Sequence, residues 1–314
     1  MRCSTGASGT AFGAQVLRGQ AQVVFQPSVA AGAVFCAALF AAGWRYGLYA
    51  LGGAAVGTAT ARLLGAPDDR VGAGLEGFNA CLTALCCAVF LGAGHPSTVL
   101  LAVVGCAVVT VVTAAVGRLL GAWGLPSLTL PYCLLASVLT VGAPGFERVW
   151  HGGAGSAALS GPATGPTHLR LPDLARGFFA GFAQIFFMPQ WYVGAILLAG
   201  LFVASRRAGA VACLGSAVGI CSAWALGAPA EQVADGSMGY NSVLVAVALC
   251  GVFLPVRGAS LAYAVVGAVT AAAVTPAVGA LFSPSGGHTF TWPFVLTTLT
   301  FLAGAGSFKR LSYP

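Results

Sequence analysis

Polar residues are confined to short breaks in this chain, and the stretches between them are apolar almost throughout. A first segment at about 14–26 is too brief and too polar to cross a membrane. Apolar runs follow at about 28–43, 46–65, 74–93, 97–120 and 125–141. The order then recurs: a short segment at about 176–188, and runs at about 190–205, 208–227, 236–254, 258–282 and 290–307. A span needs about 20 apolar residues. Each part therefore predicts five spanning helices and one short re-entrant segment.

The two parts are one pattern written twice, at a constant offset of 162 positions. Gln22-Val-Val-Phe25 falls on Gln184-Ile-Phe-Phe187, and Gly32 on Gly194. Gly74-Leu-Glu-Gly-Phe-Asn79 falls on Gly236-Ser-Met-Gly-Tyr-Asn241, and Thr129, Pro131 and Tyr132 fall on Thr291, Pro293 and Phe294. Residues 1–141 and 173–314 are thus expected as two repeats, joined by a Gly-, Pro- and Ser-rich linker at 142–172. An odd number of spans per repeat inserts the second one upside down, which is an inverted-topology repeat. With both termini in the cytoplasm, ten basic residues fall inside (Arg2, Arg18, Arg62, Arg70, Arg118, Arg206, Arg207, Arg257, Lys309, Arg310). Four fall outside (Arg45, Arg148, Arg170, Arg176), which is the positive-inside bias.

Composition agrees with this class. Of 314 residues 58% are apolar and only 7% charged, against roughly 25% charged in soluble domains. Mean hydropathy is +0.90. The expectation is an all-α integral membrane protein. The net charge of +7 is spread over loops, so nucleic acid is not an expected partner. Ten cysteines sit mostly in apolar runs without metal spacing, and residues 1–14 lack the apolar core of a signal peptide. No metal or cofactor is expected. No Ser/His/Asp set or phosphate loop is present, so no enzyme is expected either.

Chemistry is expected where polar groups enter the apolar field in matched pairs. Proline has no N–H, so Pro131 should free the carbonyl of Ser127 and Pro293 that of Thr289. Thr129 and Thr291 add hydroxyls beside them, giving two short ladders of oxygens. The plain alternative is that these are helix-start prolines and threonine caps. Gln22 and Gln184 stand alone in apolar segments, where an amide must find a partner. They either tie helices together or face a shared pathway. Phe25 and Phe187 lie on the same helical faces as these glutamines, and Phe78 matches Tyr240. Each ring is either packing or the wall of a flat slot. Asn79 and Asn241 are expected to brace backbone. No ionisable residue sits in the middle of a span, whereas ion-coupled carriers usually keep them there. The residues therefore lead to a passive channel for a small, neutral, polar solute, with an ion-coupled secondary transporter as the alternative. A structural or sensor protein would give no reason for the matched polar pairs.

At these residues the chain resembles the urea transporter family, whose motif is similar to Leu-Pro-x-x-Thr-x-Pro-Phe. Leu125–Tyr132 follows it with tyrosine in the last place. Gly77-Phe-Asn79, Gly239-Tyr-Asn241 and Thr291-Trp-Pro-Phe294 extend the likeness, which covers about 18–141 and 176–307. The resemblance implies uncoupled urea flux through a plasma-membrane homotrimer with one pore per protomer. It implies urea contacts for Gln22 and Gln184 at opposite ends, a constriction at Thr129 and Thr291, and slot walls from Phe25, Phe78, Phe187 and Tyr240. The chain departs from the family pattern at Gly287-His288, Pro27-Ser28, Tyr132 and Tyr240.

Overall fold

The computed structural model describes residues 5–151 and 165–311, and among these every regular element is helical. Arg2, Cys3 and the middle of the expected linker, 152–164, lie outside the described residues. The first seven helices are α1 (Thr5–Ala21), α2 (Val29–Ala42), α3 (Trp44–Leu63), a short α4 (Asp68–Gly72), α5 (Phe78–Phe90), α6 (Pro96–Gly121) and α7 (Leu130–Gly142). The next seven are α8 (Leu171–Gln184), α9 (Trp191–Ala204), α10 (Arg206–Ala225), a short α11 (Ala230–Ala234), α12 (Tyr240–Val247), α13 (Gly258–Phe282) and α14 (Trp292–Ala305). From α2 and α9 onward, corresponding helices begin at residues 162 apart. The first helix is longer than the sequence implies, because it already starts at Thr5.

Helix α6 shows why these sequences fold inside out relative to a soluble bundle. Its large apolar side chains, among them Leu100, Val104, Val111 and Leu119, are exposed. Its buried face carries Thr98, Ala102, Gly105, Cys106, Thr110 and Thr113. In hydrocarbon every polar group must be satisfied within the protein. Thr110 and Thr113 comply by donating to the carbonyls of Cys106 and Val109, one turn back, at 2.9 and 2.7 Å. The cysteines from Cys36 to Cys250 are free thiols, most of them buried.

Among the described residues three helices are long and apolar enough to cross a membrane alone: Pro96–Gly121, Arg206–Ala225 and Gly258–Ser285. Helix α3 is as long as α10 but less apolar, and the remaining apolar helices are shorter or broken. The first apolar pair, Ala11–Val24 and Val29–Ala42, bends by 79° at its break. The run at 74–93 becomes helical only at Phe78, after a left-handed Gly74 at φ +82°. The run at 236–254 ends in a π-turn, Ala248–Val252, whose Gly251 has φ +119°.

Small residues let the bent pairs close. A side chain at Gly32 would place its Cβ 2.0 Å from the Leu17 carbonyl oxygen of α1, and one at Gly194 would meet the Phe179 carbonyl of α8 at 1.8 Å. The backbones of α1 and α2, and of α8 and α9, thus touch at matched points. Among the described residues one charged group is buried against the bundle, Glu76, and Arg70 pairs with it at 2.7 Å.

Candidate functional site

Both short segments end in the same unusual way. Helix α1 passes through one tight turn at Gln22–Val24 and stops at Phe25, whose φ is +63°; α8 stops three residues before Phe187, whose φ is +62°. The N–H of Phe25 donates to the Gln22 carbonyl and that of Gln26 to Ala21, at 3.0 and 3.1 Å. Phe187 and Met188 repeat this with Gln184 and Ala183, at 3.0 and 3.1 Å. This is a left-handed helix cap, a position glycine normally fills. A side chain there costs about 1–2 kcal/mol. The rings are held in place at that cost, twice, as expected of a functional constraint.

The glutamines before those caps are tied down by their nitrogens. Gln22 Nε2 donates to the Ala73 carbonyl at 2.9 Å, and Gln184 Nε2 donates to the Asp235 carbonyl at 3.0 Å. That is the helix-tying role. No hydrogen bond from the described residues reaches either Oε1, so each side chain still offers an acceptor. Asp235 lies in the loop before α12. Burial pushes its carboxyl above the ordinary value, only partly opposed by the Ser237 N–H that donates to it at 2.8 Å.

The ladder segments differ from their expected form. The Ser127 and Thr289 carbonyls are not freed by the prolines. The residue before each proline reaches back three positions instead, Leu130 N–H to Ser127 at 3.1 Å and Trp292 N–H to Thr289 at 3.3 Å. The chain achieves this by turning left-handed at Leu128 (φ +49°) and Phe290 (φ +43°). The orphaned carbonyls are therefore those of Leu128 and Phe290. The described residues send no bond to Leu128, whereas Phe290 receives the hydroxyl of Tyr240. Asn241 braces this segment as expected, its Oδ1 accepting from Phe294 N–H at 3.2 Å. Asn79 points its amide elsewhere, donating to Thr113 at 3.2 Å.

The two segments meet at their threonines. Thr129 Oγ1 and Thr291 Oγ1 are 2.7 Å apart, with 3% and 0% of the residues exposed. Cys133 Sγ lies 3.1 Å from Thr291 Oγ1. On one side of this contact Phe25 sits edge-on to Phe253 (5.7 Å) and Phe294 (6.0 Å). A cleft of about 300 Å³, lined by Leu125, Pro126 and Phe253 among others, opens at that end. On the other side Phe187 packs on Phe90 (5.8 Å) and Tyr132 (6.0 Å), with Phe290 at 6.2 Å and His288 stacked on Phe90 at 4.1 Å. Each short segment thus lays its ring on the other half's ladder.

Of the residues singled out from sequence, Thr129, Thr291, Phe25 and Phe187 converge here. Gln22 and Gln184 stand a few residues before those rings. Tyr240 joins through its hydroxyl to the Phe290 backbone rather than through a ring contact. No ring contact among the described residues ties Phe78 to either cluster. Phe90, Phe253, Phe290 and Phe294 were not singled out as rings. The repeat offset points from Phe294 to Tyr132, but it takes Phe90 to Val252 rather than Phe253. The π-turn Ala248–Val252 shifts that pair by one residue.

An all-helical bundle with lipid-type outer faces, a dry hydroxyl contact at its centre and a ring cluster on either side defines a helical membrane transport protein. The urea transporter family model matches residues 14–306. Urea transporter 1 of Ovis aries is 29% identical over 294 residues, covering 91% of this chain and 75% of that protein. Those of Capra hircus and Rattus norvegicus are also 29% identical, with the same coverage. The chain belongs to the urea transporter family, and it is a transport protein rather than an enzyme.

Proposed function

We propose that this chain is a passive, uncoupled channel for urea, with its pathway running between the two ring clusters through the Thr129–Thr291 contact. That contact carries the reading. Two hydroxyls in a dry constriction, with the Cys133 thiol beside them, can each donate and accept, which suits a planar neutral amide and would hold back an ion for lack of countercharge. Phe25 and Phe187, with Phe78 and Tyr240 nearby, serve as the flat walls. Gln22 and Gln184 offer their oxygens to urea N–H groups at the two ends. The halves, 1–141 and 173–314 around the 142–172 linker, act as inverted repeats of five spans plus one re-entrant segment. Matched helix starts and the distribution of basic residues support that reading. We place the protein in the cell membrane with both termini cytoplasmic, as a homotrimer with one pore per protomer. The ion-coupled alternative needs a charged group on the path, but the buried Glu76 is already neutralised by Arg70. Burial also pushes His288, which stacks on Phe90 in the ring cluster, below its ordinary value toward the neutral form.

Radiolabelled urea uptake into proteoliposomes tests the reading. Fast equilibration is expected, unchanged by an imposed proton or sodium gradient; flux that requires a gradient would overturn the passive mechanism. Gln184→Leu is expected to raise the urea concentration for half-maximal flux about fivefold, the worth of one neutral hydrogen bond. An unchanged value would leave Gln184 as the tie to Asp235 only.

A further inference from the structure

The geometry points to Tyr240 as a positioning residue that makes the two ends of the pore unequal, an inference that rests on the urea-channel reading above. The two ladders are alike in their left-handed turn, at Leu128 and Phe290. They differ in what becomes of the carbonyl that the turn orphans. At the Phe25 end the Leu128 carbonyl has no bond from the described residues, because the residue matching Tyr240 is Phe78, which has no hydroxyl. At the Phe187 end the Tyr240 hydroxyl donates to the Phe290 carbonyl. The neighbouring Asn241 takes the Phe294 N–H that a continuous helix would have sent to that same carbonyl. Among the described residues the first half has no counterpart to this second bond either, since Asn79 Oδ1 is buried there without a partner.

A carbonyl oxygen has two lone pairs, but one engaged by a phenol in a crowded site is a poorer acceptor for a passing N–H than an open one. Urea should therefore be held more tightly at the Leu128 end than at the Phe290 end. In a passive pore this cannot produce net pumping. Flux vanishes at equal concentrations, so the ratio of maximal rate to half-saturation concentration must be the same in both directions. The half-saturation concentration itself is free to differ between the two sides.

The test is urea influx and efflux in cells expressing the full chain, where insertion gives one orientation. In the wild-type protein, half-saturation is expected to differ about fivefold between the sides, one neutral hydrogen bond's worth. Tyr240→Phe frees the Phe290 carbonyl and should bring the two values together by lowering the weaker one. Phe78→Tyr adds a hydroxyl opposite Leu128 and should bring them together by raising the tighter one. The double exchange, Phe78→Tyr with Tyr240→Phe, should invert the wild-type ratio. A purely structural role for Tyr240 would scale both directions equally. Equal scaling, or an unchanged ratio in these variants, overturns this inference while leaving the channel reading intact. Absence of urea flux in the wild-type protein overturns the channel reading and this inference with it.

Discussion

Thr129→Val and Thr291→Val are each expected to slow urea flux about tenfold or more while the protein still folds. Valine keeps the shape of threonine, so neither change opens a cavity. Each removes one of the two hydroxyls that meet at 2.7 Å. In a dry constriction a permeant group left without its partner costs about 1–3 kcal/mol, and each 1.36 kcal/mol is about tenfold in rate. The two variants should differ in stability. With Thr291 replaced, two contacts go, one to the Thr129 hydroxyl and one to the Cys133 thiol. With Thr129 replaced, Thr291 keeps Cys133 Sγ at 3.1 Å. Thr291→Val should therefore melt at the lower temperature, although both proteins remain folded. Urea flux at matched protein density, with thermal denaturation in detergent alongside, measures both effects. Wild-type flux in both variants would remove the threonines from the pathway.

Gly32→Ala and Gly194→Ala are expected to abolish well-folded protein. The added Cβ would lie 2.0 Å from the Leu17 carbonyl oxygen in the first case and 1.8 Å from that of Phe179 in the second. Both obstacles are helix backbone, which cannot swing aside as a side-chain tip would. Overpacking a well-filled site costs about 1–3 kcal/mol even when side chains can adjust, and here the bent helix pair must separate. The separation would also carry Phe25 or Phe187 away from its ring partners, so any protein that survives should have lost its flux. Gly52→Ala is the control, since no atom lies within 4 Å of its added Cβ. Size-exclusion profiles and melting temperatures decide it. A Gly32→Ala protein that elutes and melts like the Gly52→Ala control would mean that α1 and α2 are not held at this point.

Much of the layout was legible because the sequence repeats itself. A constant offset of 162 locates the starts of six helix pairs, the threonines and the capping rings. Local rules failed where the chain turns left-handed. Phenylalanine and leucine seldom adopt positive φ, so nothing in Phe25, Leu128, Phe187 or Phe290 announces that conformation. The prolines of the ladders were expected to free the carbonyls of Ser127 and Thr289. They stand instead at helix starts, as the plain alternative had it, and the tighter turn before them moves the orphaned carbonyls one residue along. Phe90 and Phe253 escaped because a π-turn breaks the offset locally. That Thr129 and Thr291 touch is a tertiary fact, since each could equally have faced its own half.

The ring contacts that cross between halves also set a schedule. Phe25 finds Phe253 and Phe294, both more than two hundred positions further along the chain. A ribosome adding about 5–20 residues per second needs roughly 15–50 s to travel from Phe25 to Phe294. Until residue 253 is made the first ring has neither of these ring partners, and its strained cap is held by contacts within the first half, the α1–α2 packing and the Gln22–Ala73 bond. The pore is therefore the last part of the molecule to be finished, and a nascent chain released before residue 253 would carry an unpaired aromatic wall into the bilayer. Such a ring is a mark by which membrane quality control could tell an unfinished copy from a completed one.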